Sequence, residues 1–237
     1  MIYLFNSAYI FSQGLEGVIV EKYFENTSYG KLDELPDNAI TYRIYLDLEP
    51  EYKLLSVYGA PNHPFRFETT TTFYNHNHGN LMGDGIIHTM INDPYYALDT
   101  YITLSSCTNG HVGILLTEDN DGSVIQNRSF KNADGLFRGE IPEIVYFHLE
   151  PEIFSSNNSN LFESENFLIG SYAGVKGPTP ENRILIAQLT TDGDLSFEIN
   201  IQIGIPGEDP VQFLAREPVA EGNYFEDLSY GLQKQNE

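Results

Sequence analysis

Residues 195–203 read LSFEINIQI, an unbroken alternation of apolar and polar side chains. Successive side chains of a β-strand point to opposite faces of the sheet, whereas those of a helix repeat every 3.6 residues. The period of two therefore predicts a β-strand with one buried face. That face would carry Leu195, Phe197, Ile199, Ile201 and Ile203.

The residues before this strand complete a predicted β-hairpin. Residues 183–189 are almost continuously apolar, which is typical of a buried strand. The segment from Thr190 to Asp194 separates the two strands, and its Asp-Gly pair supplies the positive φ that a tight hairpin turn needs. This hairpin is the clearest element that the sequence predicts.

Much of the remaining chain shows the same signals. Residues 41–48 alternate between a face of Tyr42, Ile44, Leu46 and Leu48 and a face of Thr41, Arg43, Tyr45 and Asp47. Further strands are predicted at 17–24, 53–58, 65–74, 98–105, 112–116, 144–149 and 167–172. Long polar stretches separate several of these strands, and no amphipathic helix interrupts them. The pattern predicts an all-β fold, an antiparallel β-sandwich with long loop insertions.

The sequence contains no Pro-, Gly- or Ser-rich linker, so we predict a single domain over residues 13–225. The polar residues 226–237 predict a flexible tail. Residues 1–12 are apolar and aromatic, and they predict the remnant of a secretory signal peptide. An ordinary first strand is the alternative for this segment.

The chain is strongly acidic, with 34 Asp and Glu against 12 Lys and Arg and a formal net charge of −22. A field of this sign repels nucleic acid and anionic lipid, so neither is an expected partner. No apolar run approaches the roughly 18 residues of a membrane span. The single cysteine, Cys107, lies in an apolar run and is expected to be a buried thiol rather than a nucleophile.

Glu118-Asp119-Asn120-Asp121-Gly122 resembles the start of an oxygen-rich calcium loop. Calcium prefers carboxylate and carbonyl oxygens, and a glycine permits the tight turn around the ion. The distal glutamate of an EF-hand is absent, because Lys131 stands twelve residues after Asp119. We therefore predict Glu118, Asp119, Asp121 and Asp84 as candidate calcium ligands, with solvated loops as the alternative.

His76 and His78 are candidates for a transition-metal site. Residues two apart lie on the same face of a strand, and a third ligand such as His88 or Asp84 would complete the site. No HExxH motif accompanies them, and a polar surface loop is the alternative.

The sequence contains no recognisable catalytic motif. It has neither a Gly-x-Ser-x-Gly nucleophile elbow nor a GxxxxGK[ST] phosphate loop. A carboxylate pair for glycoside hydrolysis cannot be chosen among 34 candidates from sequence alone. Tyr95, Tyr96 and Tyr101 would offer a sugar-stacking platform if they are exposed, although core packing is the commoner role of aromatic residues.

Several strings of the chain are familiar together: QGLEGVIVEKY at 13–23, TYRIYLDL at 41–48, VYG at 57–59, HP at 63–64, TFYN at 72–75 and NRILIAQLTTDGD at 182–194. They resemble a recurrent extracellular module of large secreted Bacteroidetes proteins, and the resemblance covers most of the chain. It implies export and residence outside the cell or at its surface. It implies no particular reaction.

Three functions remain open at this level. The first is a non-catalytic, calcium-stabilised extracellular module that binds a glycan, a matrix or a protein, or serves a structural role. The second is a glycan-active hydrolase with an acidic pair. The third is a subunit of an extracellular assembly.

Overall fold

A computed structural model describes residues 14–27, 31–120, 122–126, 133–148, 159–217 and 222–231. Over these ranges the chain is all-β, with antiparallel sheets in a sandwich-like arrangement and long loops between strands, so the predicted fold class is confirmed. The strands are β1 (Leu15–Glu25), β2 (Ile40–Leu48), β3 (Lys53–Tyr58), β4 (Phe65–Thr69), β5 (Tyr101–Ile102), β6 (Ser106–Thr108), β7 (His111–Gly113), β8 (Leu136–Arg138), β9 (Val145–Phe147), β10 (Leu161–Ser164), β11 (Leu168–Val175), β12 (Arg183–Thr191), β13 (Leu195–Glu198), β14 (Asn200–Gly204), β15 (Val211–Leu214), β16 (Asn223–Tyr224) and β17 (Ser229–Tyr230). A short helix, α1 (Pro94–Ala97), and 3-10 turns at Gly83–Gly85, His88–Met90 and Glu226–Leu228 complete the described elements.

The described strands form four sheets. The first has the order β1-β2-β12-β5, the second β10-β4-β13-β17, the third β16-β15-β14-β3-β11-β9 and the fourth β6-β7-β8. All strand pairs are antiparallel except β15 with β16. No helix in this part of the chain is long and apolar enough to cross a membrane.

The main hydrophobic core joins the inner faces of the first three sheets. The residues of LSFEINIQI that were predicted to be buried all lie in it, none more than 5% exposed: Leu195, Phe197, Ile199, Ile201 and Ile203. Complete burial of such a side chain stabilises the fold by about 1.5–3 kcal/mol. The chain changes sheet within this stretch, because β13 belongs to the second sheet and β14 to the third.

The predicted hairpin over 183–203 is wrong. β12 pairs with β2 and β5, whereas β13 pairs with β4 and β17, so the two predicted partners lie in different sheets. The Asp-Gly turn instead packs on the threonine run that follows β4. Thr71 Oγ1 donates to Asp192 Oδ1 (2.7 Å), and the Asp194 N–H donates to Thr70 Oγ1 (2.9 Å). These bonds fix the turn so that it connects β12 in the first sheet to β13 in the second sheet.

A second core covers the opposite face of the first sheet. It contains Tyr45 and Leu185 from that sheet, and Tyr96, Cys107 and Leu136 from the long region between β4 and β9. The first sheet is therefore buried on both faces. Cys107 is a buried free thiol, as predicted.

Some predicted boundaries and exposures differ from the structure. Tyr96 and Tyr101 are almost completely buried, so they cannot form an exposed platform with Tyr95. The first part of the predicted tail, residues 226–231, packs on the fold, because Leu228 enters the main core and β17 pairs with β13; residues 232–237 lie outside the described residues. The predicted signal-peptide remnant at 1–12 lies outside the described residues.

Candidate functional site

A bulge in β11 places an aromatic side chain on the surface. In the pairing of β11 with β3, Gly170 lies opposite Ser56 and Val175 opposite Leu54, so residues 171–174 face only Leu55. Bulges of this kind re-aim side chains and are common beside functional sites. Tyr172 in the bulge is 87% exposed.

One backbone conformation and one hydrogen bond stabilise the bulge. Gly174 has a φ of +68°, a backbone conformation that glycine adopts at little cost. The Lys53 Nζ donates a hydrogen bond to the Ala173 carbonyl oxygen (2.9 Å). The position of Tyr172 therefore depends on local backbone geometry rather than on burial of its ring.

The bulge forms one side of a cleft of about 560 Å³. The other side is formed by the segment from Phe137 to Glu143, which leads into β9. Ser105 and Val112 are the buried members of the lining from the fourth-sheet region, while Glu140 and Glu143 are exposed. We call this feature the Tyr172 cleft.

The lining of the Tyr172 cleft combines an aromatic face with polar groups. Glu140 and Glu143 supply carboxylates, Ser171 a hydroxyl and Lys176 an ammonium group, which lies 3.3 Å from Glu51. Clefts of a few hundred Å³ with a few polar groups are typical of sites for small ligands. The arrangement suits a ligand that has both an apolar face and hydrogen-bonding edges.

A smaller pocket of about 340 Å³ lies beside Tyr74, His76 and Asn77. The buried Asp99 carboxylate shapes its wall by accepting the backbone N–H groups of His76 and Asn80, each at 2.8 Å. Burial raises the pKa of the Asp99 carboxyl to about 7, although these backbone N–H groups act in the opposite direction. Burial also raises the pKa of the Tyr74 phenol.

The predicted histidine pair lies in a turn rather than on a strand. The His76 and His78 ring centroids are 5.8 Å apart, and the His78 N–H donates to His76 Nδ1 (3.2 Å). His76 Nε2 is 4.0 Å from Asp93 Oδ2. Of the two proposed third ligands, His88 packs against His111 and Asp84 lies in the 3-10 turn Gly83–Gly85.

The predicted calcium ligands make contacts within the protein. Glu118 pairs with Arg183 and accepts from Thr179 Oγ1 (3.2 Å). Asp119 Oδ2 accepts the backbone N–H groups of Asp134 (2.8 Å) and Gly135 (2.9 Å). Asp121 lies outside the described residues. Calcium binding by this segment stays a prediction.

Across the described ranges, no group of three or more His, Cys, Asp or Glu side chains is arranged to hold a metal ion. Sequence reasoning also missed the residues of the Tyr172 cleft. One signal was present, because Gly170 and Gly174 flank Tyr172 and isolated glycines within a strand pattern indicate a bulge. Glu140 and Glu143 carried no signal that separates them from the other acidic residues.

Three kinds of comparison with known proteins bear on this geometry. No protein-family model, curated protein or solved structure matches the chain.

Proposed function

We propose that this chain is a non-catalytic binding module of an exported protein, and that it binds a glycan in the Tyr172 cleft. The observation that carries the proposal is the bulge in β11, which presents a tyrosine ring that is 87% exposed beside carboxylates and a hydroxyl. Extracellular or cell-surface residence is part of the proposal and follows from the family resemblance.

The chemistry of a sugar ring supports this assignment. Its C–H groups form an apolar face that packs on an aromatic ring, and its hydroxyl groups hydrogen-bond with carboxylates and other polar side chains. Tyrosine is a common anchor in binding sites, because its ring offers apolar area and its hydroxyl offers a hydrogen bond.

The charge of the chain narrows the class of glycan. A net charge of −22 and two glutamates in the cleft repel uronate and sulfate groups. The ligand class is therefore a neutral oligosaccharide or one that contains unacetylated amino sugars.

Glu140 and Glu143 both line the cleft, and this observation keeps a glycan-active hydrolase as the second candidate. A glycosidase needs one carboxylic acid that holds its proton near neutral pH, which normally requires burial. Both glutamates are exposed, and this favours binding over hydrolysis.

The proposal predicts that Tyr172→Ala weakens glycan binding by about tenfold or more, the effect expected when an aromatic anchor is lost. Binding is first detected on an array of neutral and amino-sugar oligosaccharides and then measured by calorimetry. Tyr224→Ala is the matched control, because Tyr224 is also exposed and lies in β16, an edge strand of the same sheet that three strands separate from β11. Equal affinities for wild type and Tyr172→Ala would contradict the proposal.

The same proteins also distinguish the proposed binding module from a hydrolase and from an assembly subunit. Release of reducing ends from a bound oligosaccharide, abolished by Glu140→Gln or Glu143→Gln, would favour the hydrolase. A size-exclusion peak larger than a monomer, with no glycan bound, would favour an assembly subunit. A monomer that binds glycan and releases no reducing ends is the outcome that the proposal expects.

A further inference from the structure

His88 and His111 lie side by side, although they are 23 positions apart in sequence. His88 begins the 3-10 turn His88–Met90, and His111 is the first residue of β7. Their ring centroids are 6.0 Å apart. The Asn109 N–H donates to the Ile86 carbonyl oxygen (2.8 Å), which ties the connection between β6 and β7 to the residues before His88.

His111 carries a buried nitrogen that lacks a hydrogen-bond partner. The residue is 5% exposed, and its Nε2 makes no hydrogen bond with any part of the chain that the structure describes. Buried polar atoms in folded proteins are nearly always paired with protein, water or an ion. The Nε2 atom of His111, beside a second imidazole, is therefore available to a partner from outside the described chain, a water molecule or an ion.

The hydrogen bonds at Nδ1 prepare both rings for metal binding. Asn109 Oδ1 accepts the His88 backbone N–H (3.1 Å) and lies 2.8 Å from His88 Nδ1, so that nitrogen carries the proton and leaves a lone pair on Nε2. Thr108 Oγ1 lies 3.0 Å from His111 Nδ1 and can likewise accept a hydrogen bond from that nitrogen. Metal-bound histidines are oriented in this way by an acceptor on the second ring nitrogen.

We propose that His88 and His111 bind a divalent transition metal, such as Cu²⁺, Ni²⁺ or Zn²⁺, through their Nε2 atoms. Metal–nitrogen bonds of about 2.0–2.1 Å place each ring centroid roughly 3 Å from the metal, so two bound rings have centroids roughly 5–6.5 Å apart. The observed separation of 6.0 Å falls in this range. Water or a further ligand would fill the remaining coordination positions.

The other close histidine pair is less suited to a metal. His76 Nδ1 accepts the His78 N–H, so in the neutral ring the lone pair is occupied and the proton is on Nε2.

Electron paramagnetic resonance with Cu²⁺ as the probe tests the site, because bound imidazole nitrogens split the copper signal and carboxylate oxygens do not. Tag-free protein receives one equivalent of Cu²⁺ at neutral pH. We expect nitrogen splitting from two imidazoles, and an affinity at least tenfold lower in His88→Gln. Asn109→Ala, which removes the positioning acceptor, is expected to lose about tenfold.

Two histidine variants distinguish copper binding by His88 and His111 from copper binding by the other histidine pair. His88 is exposed, so His88→Gln tests the site without disturbing the buried His111. His78→Gln removes one member of the other pair and should leave the spectrum unchanged. The proposal is overturned if copper is held by oxygen alone, if His88→Gln does not alter the spectrum, or if His78→Gln abolishes the nitrogen splitting.

Discussion

At the scale of single residues, the most consequential side chain is Arg43. The alternation of residues 41–48 places it on the polar face of β2, yet it is 2% exposed. Its Nε donates to Gln188 Oε1 (2.9 Å), its Nη1 donates to the Gly135 carbonyl oxygen (2.8 Å), and its guanidinium lies 3.5 Å from the centroid of the Tyr23 ring. Neutral acceptors and an aromatic ring thus compensate a charge that forms no salt bridge within the part of the chain that the structure describes.

Arg43→Met should lower the free energy of unfolding by about 2–4 kcal/mol, because it removes two buried hydrogen bonds, to Gln188 Oε1 and to the Gly135 carbonyl oxygen, together with the cation–π contact. Urea denaturation measures the difference. Lys22→Met is the matched control on the neighbouring strand, where the lysine is exposed and pairs with Glu25, and it should change stability by about 0.5 kcal/mol or less. Equal stabilities of the two variants would show that the buried guanidinium contributes little.

At the scale of elements, the passage from β13 to β14 connects the second sheet to the third. Asn200 stands at this point and is fully buried. Its Nδ2 donates to the carbonyl oxygens of Tyr58 (3.1 Å) and His63 (2.8 Å), and its Oδ1 accepts the Ala215 N–H (3.2 Å). One amide therefore satisfies backbone groups from three segments at the corner of the sandwich.

Asn200→Ala should destabilise the protein by about 2–4 kcal/mol, because the Ala215 N–H loses its acceptor and the Tyr58 and His63 carbonyl oxygens each lose a hydrogen bond. Gln212→Ala is the control, since Gln212 lies in β15 of the same sheet and is exposed, and it should have an effect of about 0.5 kcal/mol or less. Chemical denaturation of both variants provides the comparison. A small effect of Asn200→Ala would mean that water replaces the amide at this corner.

At the scale of the whole molecule, a net charge of −22 opposes compaction of the chain. The described salt bridges are few, and several join exposed side chains, so they offset this repulsion only in part. Two hydrophobic cores, one on each face of the first sheet, supply the main opposing contribution.

Raising NaCl from 20 to 500 mM should increase the melting temperature by roughly 2–4 °C for each kcal/mol of repulsion that the salt screens. CaCl₂ at equal ionic strength separates screening from specific binding. A larger rise with CaCl₂, reversed by a chelator, would support the calcium site predicted around Asp119. Equal rises in melting temperature with both salts would contradict a specific calcium site.

The sequence by itself determined the local conformation of this chain and much of its core. The period of two in LSFEINIQI and in residues 41–48 depends only on strand geometry, and the residues that it predicted to be buried are buried. The same pattern could not show that Glu198 and Asn200 are buried as well, because alternation identifies one buried face and says nothing about what covers the other.

Only the tertiary structure decided which strands pair, what covers the second face of the first sheet, and which side chains meet. The Asp-Gly turn favours a hairpin locally, but its contacts with Thr70 and Thr71 direct β13 into another sheet. Tyr172, Glu140 and Glu143 share a cleft, and His88 lies beside His111, through contacts between residues far apart in sequence. The reason is physical: strand periodicity is set by neighbours in the chain, whereas pairing, burial and sites are set by long-range packing.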